Sequence, residues 1–256
     1  MLKIRVIPTL LWKNFGLVKG IGFDSWRRTG SVLPAVKVFN TRQVDELVVL
    51  DICASNENRE PDFEMVAEIA YECFVPLTIG GGITNVDQIK RLLRLGADKV
   101  AINTAAFNNP NLITEGANKF GTQCIVASID AVKGDDGRFY CYTHSGKQST
   151  SFEVMDWAIK MEEKGAGEIL LTDVKLDGTM TGYNLPLIEL VSKAVKIPVI
   201  ASGGAGKLTD FTSAISAGAS ALAAASLFQF TELTPLEIKS HLSQFGIPVR
   251  KSLQMY

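Results

Sequence analysis

The sequence predicts an α/β fold, a single (β/α)8 TIM barrel built from two (βα)4 half-barrel repeats, and three observations carry that expectation. Short β-branched runs alternate with amphipathic helical segments along the whole chain, the pattern of a parallel sheet wrapped in helices. Eight such units fit within 256 residues, close to the ~250 of a typical closed barrel. One constant offset of 122 residues superimposes three separate segments of the second half on the first, which marks an internal duplication.

The predicted strands of the first half span 4–10, 46–51, 76–79 and 99–103. Those of the second half span 123–130, 168–172, 198–201 and 221–225. Between them lie helical stretches such as "VDQIKRLLRL" (86–95) and "FEVMDWAIKMEEKG" (152–165), the latter closed by Gly165 as a C-terminal cap. The repeat aligns "DELVVLD" from Asp45 with "GEILLTD" from Gly167, and Pro76 of "VPLTIGGG" with Pro198 of "IPVIASGG". It also aligns "GADKVAINT" from Gly96 with "GASALAAAS" from Gly218. No linker or low-complexity segment interrupts the pattern, so one domain is expected over 1–256, with repeats at about 3–120 and 121–245. The stretch 131–151 reads as the longest irregular segment, open to two readings, a binding lid or a plain surface excursion.

Composition narrows the function. A 46% hydrophobic content beside 21% charged residues suits a large buried core, and a net charge of −1 gives no reason to expect nucleic acid or an anionic membrane. No apolar run reaches the ~18 residues of a membrane span, and the start "MLKIR" is no signal peptide, so a cytoplasmic protein is expected. Cys53, Cys73, Cys124 and Cys141 form no C-x-x-C pair; Cys124 in an apolar run and Cys73 near a helix end read as buried free thiols. With only His144 and His241 besides, no metal site and no cofactor are expected.

The duplication places chemistry at matching strand ends. Gly81 and Gly82 follow the third strand, and Gly203 and Gly204 follow the seventh. Asn103 and Thr104 follow the fourth, and Ala225 and Ser226 the eighth. Glycines there let backbone N–H groups approach an anion, and a helix start adds more donors. "DGT", Asp177, Gly178 and Thr179, can close over the second of these cradles. In a barrel the loops after strands seven and eight are the usual phosphate site, so a duplicated site points to a small molecule with two phosphates. One working cradle beside a vestigial one is the plainer alternative.

The glycine pairs together with "INT", "CIVASIDA", "GAGEILLTD", "DGT", "VIASGGAG" and "AAASLF" resemble the cyclase subunit of imidazole glycerol phosphate synthase, a carbon–nitrogen lyase, over nearly the whole chain. The resemblance implies a heterodimer with a glutaminase subunit docked at the N-terminal barrel face, and ammonia travelling along the barrel axis to a bis-phosphorylated ribulose-type substrate. It implies a ring of four charged residues at the ammonia entrance, matched by Arg5, Glu46, Lys99 and Glu168 on what should be alternate strands. Without the resemblance, the same four read as a salt-bridged barrel floor. Asp98 matches a glutaminase contact.

It implies, finally, two aspartates at the ends of strands one and five as general acid and base. The second is matched by Asp130 in "SIDA". The first is not, because the family's Cys-Leu-Asp run stands here as Thr9-Leu10-Leu11. Leucine moves no proton, and losing one acid–base group costs roughly 10²–10⁴ in rate. Trp12 and Asn14 offer no substitute, and Lys13 and Lys19 read as loop residues that are solvated or touch phosphate.

The leading expectation is therefore an ammonia-conducting subunit, like the glycosyl-amidation-associated paralogues that accompany surface-polysaccharide genes and feed a sugar amidotransferase. The alternative is a genuine cyclase of histidine biosynthesis in which Asp130 and another group cover for Leu11. A docking or regulatory protein without a small-molecule ligand, and a sugar-phosphate isomerase, complete the set; Leu11 and the charged ring both argue against the isomerase.

Overall fold

The computed structural model describes residues 3–14 and 16–251. Its strands are β1 (Arg5–Lys13), β2 (Gly16–Ile21), β3 (Asp24–Gly30), β4 (Leu47–Asp51), β5 (Leu77–Gly80) and β6 (Lys99–Ile102). After these come β7 (Ile125–Lys133), β8 (Phe139–Thr143), β9 (Gln148–Glu153), β10 (Glu168–Asp173), β11 (Val199–Ser202) and β12 (Ala221–Ala224). Eight of them, β1, β4, β5, β6, β7, β10, β11 and β12, pair side by side in parallel. The pairing of β12 with β1 closes the ring, giving the (β/α)8 barrel that the alternating pattern predicts.

Side chains alternate across this wall. On β1, Val6 and Leu10 pack outward under the helices, whereas Ile7 joins a separate cluster in the lumen. The lumen cluster also takes Val48, Ala101, Val126, Leu170, Ile200, Ala221 and Ala223. These form an apolar collar across the barrel axis. Truncating the fully buried Leu170 to alanine would cost ~2–5 kcal/mol, because the closed wall cannot collapse into the gap.

The helices form where the sequence caps them. Asn85 accepts a hydrogen bond from Gln88 N at the start of Val86–Arg94, with Asp87 in the first turn and Arg91 and Arg94 in the last. Ile89 and Leu92 on that helix are buried against the sheet. Gly165 takes a φ of +98° beyond the helix Val154–Glu163 and donates to Glu162 O over 2.9 Å, the capping role expected of it.

Several boundaries differ from the sequence reading. The stretch 131–151 is not irregular: β7 runs on to Lys133, and β8 and β9 form an antiparallel hairpin beside it. The helix predicted from 152 begins at Val154, because 148–153 belong to β9. The fifth barrel strand begins at Ile125 rather than at 123, since Thr122–Cys124 is a 3-10 turn. All four cysteines are free, but only Cys53 and Cys141 are buried; Cys73 and Cys124 are part-exposed at element ends.

A second hairpin, β2–β3, extends β1 in the same antiparallel manner. Each half thus begins with a barrel strand that continues into a two-stranded arm over the C-terminal mouth. The arms cross over. Gly22 on the first donates to Asp177 O in the second half over 2.9 Å. His144 N on the second donates to Thr104 Oγ1 over 3.0 Å, and Ser145 Oγ to Ile52 O over 2.7 Å, both in the first half.

Candidate functional site

The C-terminal mouth opens into a cavity of about 380 Å³ lined by the ends of all eight barrel strands and by both arms. Leu11, Asp130, Gly81, Gly82, Asn103 and Thr104 meet there with Asp177, Gly178, Gly203, Gly204, Ala225 and Ser226. The catalytic and phosphate-binding residues singled out in sequence thus converge on one space, with one exception. Thr179 does not reach the lining; its hydroxyl bonds Leu176 O and Thr181 Oγ1 within its own loop, each over 2.8 Å.

The two glycine turns share one construction. A Cβ on Gly81, at φ +108°, would stand 2.2 Å from Asp51 O, and one on Gly203, at φ +87°, 2.7 Å from Asp173 O. Both positions therefore require glycine, and both carbonyls belong to aspartates that the internal repeat equates. Asp51 Oδ1 accepts from Cys53 N and Ala54 N, and Asp173 Oδ1 from Leu176 N, which fixes the turn in each half. The halves then diverge. Asp51 holds Arg59 through contacts of 2.7 and 3.0 Å, whereas Asp173 holds the neutral amide of Asn184 over 2.6 Å. The bond to Asp51 pushes the Arg59 pKa up further, so a fixed cation lines the first half of the cavity. Short helices start at Thr104 and Ser226 without a side-chain cap; the third N–H of each is taken by Asn103 O or Ala225 O, which leaves the first two as the donors a helix start can offer to anionic oxygens.

Asp130 ends the inward column of β7. Its Oδ2 accepts from Asn103 Nδ2 over 2.8 Å. Burial, helped by the nearby charge of Asp177 and opposed by the Asn103 bond, pushes its pKa up to about 7. A carboxyl poised there can both take and give a proton near neutrality. Leu11 occupies the end of β1, paired with Val18 and Leu50 and 7% exposed, and its hydrocarbon forms part of the cavity wall.

Lys19 corrects the sequence reading most sharply. It lies in β2 rather than in a loop, is 3% exposed, and donates from Nζ to Thr9 O over 2.9 Å. Burial lowers its pKa to about 8, against the opposing pull of Asp177. Asp177 is itself shifted upward by burial, with Lys19 lowering and Asp173 raising it. Lys13 ends β1 half-buried, its ammonium 6.0 Å from the Trp26 ring. Arg59 and the arm residues Phe23, Trp26 and His144 line the cavity but were not legible as site residues. The alternating "FYCYT" at 139–143 was the available sign of the second arm.

At the opposite end, Arg5, Glu46, Lys99 and Glu168 form a closed ring. Arg5 reaches Glu46 over 2.6 Å and Glu168 over 2.7 Å, and Lys99 reaches them over 3.0 and 2.8 Å. Glu46, 1% exposed, also accepts from Thr78 Oγ1 over 2.8 Å. The four do not come from strictly alternate strands, because Arg5 and Glu46 stand on neighbours; this lets one guanidinium span both carboxylates. Asp98 is exposed beside the ring, with one oxygen accepting from Leu77 N over 2.8 Å. Among the described residues no group of His, Cys, Asp and Glu could hold a metal ion, and no helix is long and apolar enough to cross a membrane.

Comparison with known proteins agrees with this geometry. The profile of the histidine biosynthesis protein family matches residues 5–234. An imidazole glycerol phosphate synthase subunit HisF from Streptomyces griseus is 47% identical over 249 residues, covering 97% of this chain and 99% of the relative. The protein of that name from Gluconacetobacter diazotrophicus is 45% identical, covering 98% and 97%. The one from Streptomyces coelicolor is 45% identical, covering 97% and 99%.

Proposed function

Because the chain belongs to the histidine biosynthesis protein family, we propose that it is the barrel subunit of an imidazole glycerol phosphate synthase-type amidotransferase. In this reading it forms a cytoplasmic heterodimer with a glutaminase and applies the released ammonia to a bis-phosphorylated ribulose-type compound as a carbon–nitrogen lyase. The observation that carries it is the pair of repeat-related glycine turns on one cavity that also holds Asp130. The relatives' name supports this cyclase reading better than the ammonia-conducting one expected from sequence.

The chemistry runs along the barrel axis. The glutaminase docks on the floor around Asp98, and ammonia enters where the ring of Arg5, Glu46, Lys99 and Glu168 yields. Two acids matched by two bases leave the entrance neutral overall, and the apolar collar above it passes ammonia while resisting ions. One phosphate of the substrate sits at Gly81, Gly82, Asn103 and Thr104. The other sits at Gly203, Gly204, Gly178, Ala225 and Ser226. Asp177 lines the cavity beside Gly178 and so stands next to that second phosphate. Asp130, with its pKa near 7, moves protons during imine formation, ring closure and elimination.

Leu11 favours a second reading, in which the subunit conducts ammonia to a sugar amidotransferase and binds its phosphorylated ligand without cyclising it. One experiment separates the two. The purified chain is given ammonium salt and the ribulose-type bis-phosphate, with turnover and thermal protection measured together. Turnover at the rate of a two-carboxylate cyclase supports the cyclase. Protection without turnover supports the conducting subunit, and neither signal refutes both.

A further inference from the structure

We propose that His144 is a second proton-transfer residue of the cavity, filling the part that Leu11 leaves vacant beside Asp130. The inference rests on the cyclase reading and deepens it by naming the partner of Asp130. The titratable side chains lining the cavity are Asp51, Arg59, Glu60, Asp130, His144 and Asp177. Asp51 and Arg59 are taken up with each other, and Glu60 accepts from Gln88 Nε2 over 3.1 Å. Asp177 stands beside the second glycine turn with Gly178. Among the described residues of the lining, that leaves Asp130 and His144. An imidazole both takes and gives protons in the range where enzymes work.

The second arm carries His144 from the wall of Asp130 toward that of Leu11. Tyr142 pairs with Asp130 across β7 and β8. Asn103 Nδ2 donates to both, to Asp130 Oδ2 over 2.8 Å and to Tyr142 O over 3.4 Å. Two residues on, His144 N donates to Thr104 Oγ1 over 3.0 Å. The next residue reaches the other wall, where Ser145 Oγ donates to Ile52 O over 2.7 Å. Ile52 N in turn donates over 3.0 Å to the carbonyl of Trp12, the residue after Leu11. His144 is thus pinned between the two strand ends at which the resemblance calls for a carboxyl pair. The crossing takes three consecutive left-handed residues, His144, Ser145 and Gly146, at φ of +53°, +55° and +75°. Such a backbone is costly outside glycine, and side-chain and backbone bonds to both walls hold it.

The ring is set up for the task. Its Nδ1 lies 3.0 Å from Thr143 Oγ1, and that hydroxyl gives its own proton to Gln148 O over 3.4 Å. Nδ1 is therefore the N–H of the neutral ring, and Nε2 carries the basic lone pair. Unlike His241 Nε2, that of His144 is not enclosed, and it has no partner among the described residues. No bond ties the ring to Asp130, so a substrate can come between them. Imine formation moves two protons from the nitrogen of ammonia to the oxygen that departs as water. Asp130 as carboxylate takes each one, and His144 as imidazolium gives each one. Water at the open mouth returns the proton from Asp130 to His144 between the two transfers.

The test uses the full chain with ammonium salt and the ribulose-type bis-phosphate. His144→Asn removes the proton transfer, yet keeps a residue that accepts left-handed φ and the backbone bond to Thr104. Its kcat should fall roughly 10²–10⁴-fold while the KM for the bis-phosphate stays within about three-fold. The bell-shaped pH dependence of kcat should lose one limb. Adding Leu11→Asp to His144→Asn should win back at least about ten-fold, because a carboxyl at the end of β1 can then serve Asp130. Where that double variant does not fold, the pH profile of His144→Asn decides. A rate and pH profile indifferent to His144→Asn overturn the proposal and leave the cyclase standing. A rate loss with an unchanged pH profile overturns it too, since His144 then only shapes the arm. No turnover in the wild type removes the cyclase reading, and the role of His144 falls with it.

Discussion

Asn103 Nδ2 donates to Asp130 Oδ2 over 2.8 Å, and this bond works against the burial that raises the carboxyl's pKa. The balance leaves Asp130 partly protonated near neutrality, which ties its chemistry to the stability of the fold.

The folded protein holds a proton on Asp130 that the unfolded chain releases above its ordinary value of 3.8. Stability should therefore fall as pH rises from 3.8 to about 7, by up to ~4 kcal/mol at one pKa unit per 1.36 kcal/mol. Asp130→Asn removes the titration. It should match wild type in urea unfolding near the acid end of that window and exceed it by ~1–4 kcal/mol at slightly alkaline pH. A difference that does not grow with pH would show that Asp130 is not shifted upward.

Replacing Leu11 by aspartate restores the missing carboxyl at a position that is 7% exposed. Leu11→Asp should lower stability by a few kcal/mol, since burial of an unpaired carboxyl is costly. If the halved pair limits the chemistry, it should raise cyclase turnover with ammonium salt by roughly 10²–10⁴. An unchanged rate in a folded variant would mean that Asp130 already has a working partner.

The charged floor can be measured by a double-mutant cycle. Glu46→Gln, Lys99→Met and the double variant should give a coupling of ~0.5–3 kcal/mol in chemical denaturation. Because Glu46 is 1% exposed, that coupling should persist at high salt. A coupling near zero, or one screened away, would show a ring that is loose in solution.

Gly81→Ala puts a methyl 2.2 Å from Asp51 O and Gly203→Ala puts one 2.7 Å from Asp173 O, both at left-handed φ. Each should cost ~1–3 kcal/mol, with Gly81→Ala the worse, and each should reduce thermal protection by the bis-phosphate. Protection surviving in one variant alone would show that only the other turn holds a phosphate.

The barrel and its duplication were legible because they rest on signals repeated many times, strand periodicity and a constant offset. The glycine turns were legible because Gly81 and Gly203 answer a local steric demand that no other residue meets. The arms were not. In "GLVKGI" and "FYCYT" the runs are short and border glycine-rich or polar turns, so both passed for loop. Lys19 was misread for the same reason, since a lysine is solvated by default until a fold covers it, and the cover comes from β1 and the distant loop of Asp177. Thr179 erred the other way: its hydroxyl fits a phosphate motif by type but is consumed by Leu176 O.

Each arm fastens to the half that did not produce it, Gly22 to Asp177 and Ser145 to Ile52. Cutting the chain between the repeats would therefore deprive each fragment of a latch as well as of two neighbouring strands. Two such fragments made separately should seek each other out and reassemble around the shared mouth, and the descendant of a gene doubling would keep in its clasps the memory of having once been a pair.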